Sequence, residues 1–196
     1  MGRSYAMQDI INTITSTGHT KILREYNDFL ITHSFIPDRV DYEIWSFIDN
    51  PDGKNLLFSG STGLGKTYLS NAIVSKLLEQ GYTVLYQTAP VMLDTLISKL
   101  FKNDSSFSEN LLNVDLLVID DLGTETMNSM KFTELYKIVN TRLLNQNGKI
   151  TKTIISTNLD LQGLYHTYDE RLVSRFIGHY DIYRFFGDDI RFKIYS

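Results

Sequence analysis

From residue 54 onward, short unbroken apolar runs alternate with longer stretches whose apolar residues recur at helical spacing. Residues 55–59, 83–87, 114–119, 153–156 and 181–186 are the strand candidates. Four of them are nearly continuous in aliphatic, β-branched or aromatic side chains, the pattern of strands buried on both faces. Residues 67–80, 91–101, 130–144 and 169–177 predict helices, with Gly81 and Gly148 where C-terminal caps fall. This alternation predicts an α/β domain, a three-layer sandwich with a five-stranded parallel sheet between helices. Ligands of such a sheet bind at the carboxyl ends of its strands. The beginning of the chain reads differently. Residues 9–14 and 22–31 carry apolar positions at roughly helical spacing, and Pro37-Asp38 and Asn50-Pro51-Asp52-Gly53 are turn chemistry. The expectation is a helical segment or linker over 1–50 and one α/β domain over 51–196.

Between the first strand and the first helix stands Gly60-Ser61-Thr62-Gly63-Leu64-Gly65-Lys66-Thr67-Tyr68. It is a complete phosphate-binding loop in the strand–loop–helix setting that its chemistry requires. Glycines let the backbone curl so that successive N–H groups face phosphate oxygens, and the helix adds the positive end of its dipole. Lys66 would reach the β- and γ-phosphates, and the Thr67 hydroxyl would ligate Mg²⁺. A glycine-rich turn with a surface lysine is the competing reading, and the flanking strand and helix weigh against it. The motif predicts a nucleoside triphosphate as ligand.

The strand at 114–119 runs into Asp120-Asp121. A carboxylate at the tip of a buried strand can hold Mg²⁺ opposite Thr67, which is the expectation for Asp120. Asp121 would then face the γ-phosphate and orient or deprotonate the attacking water. A solvated acidic loop is the alternative. Asn158, at the end of the strand at 153–156, could hydrogen-bond that water and the γ-phosphate, or simply cap the next turn. Arg171 and Arg175 lie four apart on one helix face. They serve either as fingers neutralising charge in a neighbouring subunit's site or as a solvated arginine face.

Composition narrows the partners only a little. The formal charge of −4 argues against holding DNA by bulk attraction, though not against a local basic track. There is no cysteine, which excludes disulfides and zinc–thiolate sites and fits a reducing, cytoplasmic setting. The histidines His19, His33, His166 and His179 show no metal-ligand spacing. No apolar run approaches the ~20 residues of a membrane span, so no membrane association is expected.

Taken together, Gly60 to Thr67, the run from Val114 to Glu125 containing Asp-Asp-Leu-Gly-Thr-Glu, Ser156-Thr157-Asn158, Glu170 to Gly178 and Phe186 to Arg191 resemble the AAA+ ATPases. Within these they are similar to the DnaC/IstB-type group of helicase loaders and transposition ATPases. The resemblance implies ATP and Mg²⁺ as cofactors, and rings or spirals in which a neighbour completes each active site. It matches Asp120 to the Mg²⁺-associated acid, Asn158 to the first sensor, and Arg175 to the trans-acting finger with Arg171 beside it. Asp121 stands where many AAA+ proteins have glutamate, which implies slow hydrolysis. Arg191 would be a second sensor, but the chain ends five residues later, so no C-terminal helical lid is expected. The group also carries a helical insertion before the third strand that lines a pore for single-stranded DNA. Here it would fall on residues 89–110, with Lys99, Phe101 and Lys102 as a charge–aromatic–charge surface suited to unspecific strand binding. An ordinary amphipathic helix with Leu93, Leu96 and Leu100 in the core describes the same segment.

The leading expectation is a helicase loader that assembles on single-stranded DNA and delivers a hexameric replicative helicase. A transposition ATPase acting on double-stranded DNA shares every motif. A small-molecule kinase would share the phosphate loop but need no Arg175, and an ATP-switched adaptor would need no hydrolysis.

Overall fold

A computed structural model describes residues 53–144, 150–187 and 189. The helices expected at 9–14 and 22–31, and Gly148 and Arg191, lie outside these residues. The order of elements is β1 (Asn55–Gly60), α1 (Lys66–Glu79), β2 (Val84–Thr88), α2 (Ala89–Phe101), α3 (Ser106–Asn113), β3 (Leu116–Leu122), α4 (Ser129–Leu143), β4 (Lys152–Thr157), α5 (Leu161–Thr167), α6 (Glu170–His179) and β5 (Tyr180–Phe185).

The strands form one sheet in the order β2-β3-β4-β1-β5, and every neighbouring pair is parallel. Each central strand alternates its apolar residues between two cores. Leu56, Phe58, Leu116, Val118 and Ile154 pack with Leu69, Ile73 and Leu77 of α1 on one face. Leu57, Leu117, Ile119 and Ile155 pack with α2, α4 and α6 on the other. Burial on both sides explains why these strands read as unbroken apolar runs. It also stacks the structure as helix, sheet, helix, the three-layer sandwich that the sequence predicts. The order brings the ends of β1, β3 and β4 together at the carboxyl edge, where the phosphate loop leaves β1.

Two short helices depart from the sequence pattern. In α3 only Leu111 is buried, and Ser and Asn, weak helix formers, dominate it. Local bonds hold its start: Asp104 Oδ1 accepts from the Ser106 amide and hydroxyl, and Ser105 donates to Glu109. In α5, seven residues include Gly163, and the Asp160 side chain caps the helix by accepting from the Gly163 amide. Neither segment is long or periodic enough to announce itself.

The third strand also runs further than expected. It continues through Asp120 and Asp121 to Leu122, with a register shift against β4 between Ile119 and Leu122. The two acids therefore sit in a β-bulge rather than in a loop after the strand.

Away from that edge, Arg142 near the end of α4 is 3% exposed and faces inward. Its guanidinium donates to the carbonyls of Leu111, Val114 and Lys152 and to the Thr153 hydroxyl. Burial lowers its pKa to about 10, which leaves it charged at neutral pH. One side chain thus ties α3, the approach to β3 and the start of β4 to α4.

Candidate active site

The phosphate loop is shaped by what surrounds it. Leu64 at its apex is 1% exposed and plugs into the α1-side core, which pins the loop to the sheet. Gly63 has φ +79, and a Cβ there would lie 2.1 Å from the Asp189 carboxyl group. A Cβ at Gly60 would come 2.4 Å from the Phe185 carbonyl oxygen of β5. Gly60 needs glycine for space as well as for backbone freedom, whereas at Gly63 the left-handed backbone asks for glycine and the Asp189 side chain would have to swing aside for a Cβ. The loop enters α1 through Gly65, so the N terminus of α1 carries no side-chain cap. A helix that opens in this way turns its first N–H groups toward an incoming anion.

Lys66 is 5% exposed and lies inside this cradle. Its Nζ donates to the carbonyls of Gly60 (2.5 Å) and Ser61 (2.8 Å) and to Asn158 Oδ1 (2.8 Å). Burial lowers the lysine pKa, and the nearby charges of Asp121 and Asp120 pull it back up. Asn158 is set by hydroxyls around the exit of β4. Thr157 Oγ1 donates to the Leu122 carbonyl and accepts from the Leu159 amide, and Ser59 Oγ donates to the Leu159 carbonyl.

The acids complete the edge. Asp120 is 3% exposed, and Thr67 Oγ1 donates to it at 3.1 and 3.3 Å. Hydroxyl and carboxylate oxygens are the donors that Mg²⁺ takes, and one carboxylate beside substrate phosphates is its usual protein share. Among the described residues no cluster of three His, Asp or Glu side chains could hold a metal unaided. Asp121 has φ +55, a left-handed backbone that few residues other than glycine adopt, and aspartate is one of them. The bulge turns it away from Asp120. Its pKa is raised by burial first and by Asp120 second, with Lys66 opposing. Ser156 Oγ bridges the two, donating to Asp120 Oδ1 while accepting the Asp121 amide at 3.1 Å.

Three supporting residues had no role in the sequence reading. Tyr86 of β2 donates to Asp120 Oδ2 at 2.5 Å. Glu125 accepts from the Gly123 amide at 2.9 Å and from the Tyr168 hydroxyl, which closes the loop after Asp121. Ser156 and Glu125 lie within the motifs that carried the resemblance. Nothing in the sequence marked Tyr86.

The remaining expected residues lie elsewhere. Tyr68 packs against the α1-side core, and burial pushes its phenol up to about 12. Ser61 and Thr62 are exposed. Arg171 binds Asp169 and reaches the rings of Phe132 and Tyr136 at 6.0 and 5.8 Å from their centroids. Arg175 Nε is buried without a hydrogen-bond partner. No hydrogen bond or ion pair among the described residues ties either arginine to the cradle. At the end of α2, Phe101 is 74% exposed and Lys102 is exposed, while Lys99 is paired with Asp104 at 2.6 Å. Leu93 and Leu96 are buried in the core beneath them, and Leu100 packs against it.

The family profile of IstB-like ATP-binding proteins matches residues 8–193. The chain belongs to this family. Among curated relatives of this IstB-like chain, the replicative helicase loader DnaC of Buchnera aphidicola (subspecies Baizongia pistaciae) is 30% identical over 152 residues, 75% of this chain and 60% of the relative. The putative ATP-binding protein of insertion sequence IS1162 from Pseudomonas fluorescens is 30% identical over 106 residues, 53% and 45% of the two chains. Among solved structures, a DnaC helicase loader matches with TM-score 0.66 and 27% identity, covering 76% of this chain and 89% of that one. A replication initiator DnaA bound to AMPPCP and single-stranded DNA matches with TM-score 0.66 and 27% identity, over 77% and 47%. The chain spans 45–60% of the length of these two curated relatives. No helix among the described residues is long and apolar enough to cross a membrane.

Proposed function

We propose that this IstB-like domain binds ATP with Mg²⁺ at the β1–α1 loop, hydrolyses it slowly, and uses the cycle to assemble on single-stranded DNA and deliver a hexameric replicative helicase. The nucleotide half rests on one observation: a buried ammonium held by two loop carbonyls and Asn158, beside a hydroxyl–carboxylate pair. A desolvated cation beside an uncapped helix N terminus suits a polyphosphate.

Lys66 exchanges the carbonyls of Gly60 and Ser61 for β- and γ-phosphate oxygens. Thr67 and Asp120 would hold Mg²⁺, which when bound would supply charge neutralisation to the phosphates. Release from Lys66 frees Asn158 to orient the attacking water. Asp121, its pKa raised by burial, accepts the water proton as the oxygen attacks the γ-phosphorus and the bond to the ADP oxygen breaks. Arg175 neutralises the departing charge from a neighbouring subunit. At the far end of α2, Phe101 offers a stacking face and Lys102 a phosphate contact.

The helicase-loading half is supported by 30% identity to a DnaC over three quarters of the chain. The relative from an insertion sequence favours a second reading, an ATPase acting on double-stranded DNA with a transposase. Fluorescence anisotropy of labelled single- and double-stranded oligonucleotides, with a non-hydrolysable ATP analogue, with ADP and without nucleotide, separates the two. Analogue-dependent preference for single strands is the expected result. Preference for duplex moves the assignment to transposition, and no binding in any state removes both.

A further inference from the structure

Tyr86 has no place in the phosphate loop or in any acid motif, yet it makes one of the closest contacts to the buried carboxylate. In the β2–β3 register Tyr86 pairs with Val118, and Thr88 pairs with Asp120. Tyr86 therefore stands two residues behind Asp120 on the neighbouring strand. Side chains two apart share a sheet face, so the phenol lies along the strand toward the carboxylate. Its hydroxyl donates to Oδ2 at 2.5 Å. Ser156 donates to Oδ1 from the opposite strand, and Thr67 reaches both oxygens from α1.

This support is needed because of the bulge. The register between β3 and β4 breaks directly after Ile119, so regular strand pairing with β4 does not continue through Asp120. With the β2 ladder intact and the β4 ladder broken at Asp120, hydroxyls from both strands fix its carboxylate. The ring of Tyr86 packs against the α1-side core. Phenylalanine would fill that space equally well, so packing alone gives no reason for a hydroxyl here. Thr67 donates its hydrogen to the same carboxylate.

We infer that Tyr86 is a positioning residue of the cation site, holding Asp120 in the orientation in which that carboxylate and Thr67 together receive a divalent cation. The inference rests on the assignment of Thr67 and Asp120 to Mg²⁺. Partners that orient metal-holding groups in this way typically change metal affinity 10- to 100-fold.

The test is a Mg²⁺ titration of fluorescent MANT-ATP binding to the full chain and to Tyr86→Phe and Asp120→Asn. Tyr86→Phe is expected to raise the Mg²⁺ concentration for half-maximal enhancement by about tenfold or more. Its nucleotide affinity in EDTA and its Tm should stay near those of the parent, and saturating Mg²⁺ should restore full binding. A Tyr86→Phe curve that overlays the parent's, while Asp120→Asn shifts, overturns the inference. So does an equal loss with and without Mg²⁺, which would mark a purely structural tyrosine. If Asp120→Asn also leaves the curve in place, the Thr67–Asp120 assignment fails and the inference falls with it.

Discussion

A carboxyl group packed against a phosphate loop limits what the loop can contain. At Gly63 two penalties coincide: the left-handed backbone costs a larger residue roughly 1–2 kcal/mol, and the end of the Asp189 side chain must swing aside for any Cβ, the smaller share. Gly63→Ala should therefore weaken MANT-ATP binding by about tenfold or more, since 1.4 kcal/mol is one decade. Pairing it with Asp189→Gly should recover the steric share and leave the backbone share. No loss in the single variant would mean that the loop relaxes freely. At this scale the sequence was most legible where a motif fixes both residue type and spacing, as for Lys66, Thr67, Asp120 and Asn158. It was silent on Tyr86 and Arg142, because their partners come from other strands and other helices, and no local spacing encodes that.

Among the elements, α2 and α4 carry most of what can be tested. Arg142 satisfies three carbonyls from outside its own helix. Replacing it with methionine keeps the stem but strands those acceptors, each costing about 1–3 kcal/mol when buried. The loss should appear as a fall in Tm of about 2–4 °C per kcal/mol for a chain of this size. A Tm unchanged within error would show that water reaches those carbonyls. At the other end of α2, the Lys99–Asp104 pair withholds one cation from the surface around Phe101 and Lys102. If this surface grips single strands, Phe101→Ala should cost about 1–3 kcal/mol of binding for the base that it stacks. Asp104→Asn should instead steepen the salt dependence by roughly one ion. Equal affinities and slopes across the three proteins would return α2 to a structural role. The helices α3 and α5 escaped the periodicity because each is only two turns long and packs just a few apolar side chains, among them Leu111 and Leu164, on the core. The run of β3 through its acids escaped because a bulge leaves no trace in hydrophobic pattern.

For the molecule as a whole, the alternation of buried strands and helices was enough to foresee a parallel three-layer sheet. Its order β2-β3-β4-β1-β5 emerged only from the structure. That order converges the tips of β1, β3 and β4 on one cradle, and among the described residues no hydrogen bond or ion pair joins Arg171 or Arg175 to it. If Arg175 works in a neighbour's site, Arg175→Ala and Asp121→Asn proteins, each weak in turnover alone, should regain part of the ATPase rate when mixed. Absence of rescue would argue that each chain works by itself. The proposed function depends on a triphosphate binding around Lys66. Calorimetric titration of ATP with Mg²⁺ into the parent chain and into Lys66→Ala tests that most directly. Saturable binding at one site per chain is expected, lost in a variant that still melts cooperatively. Equal affinity in both proteins would contradict it.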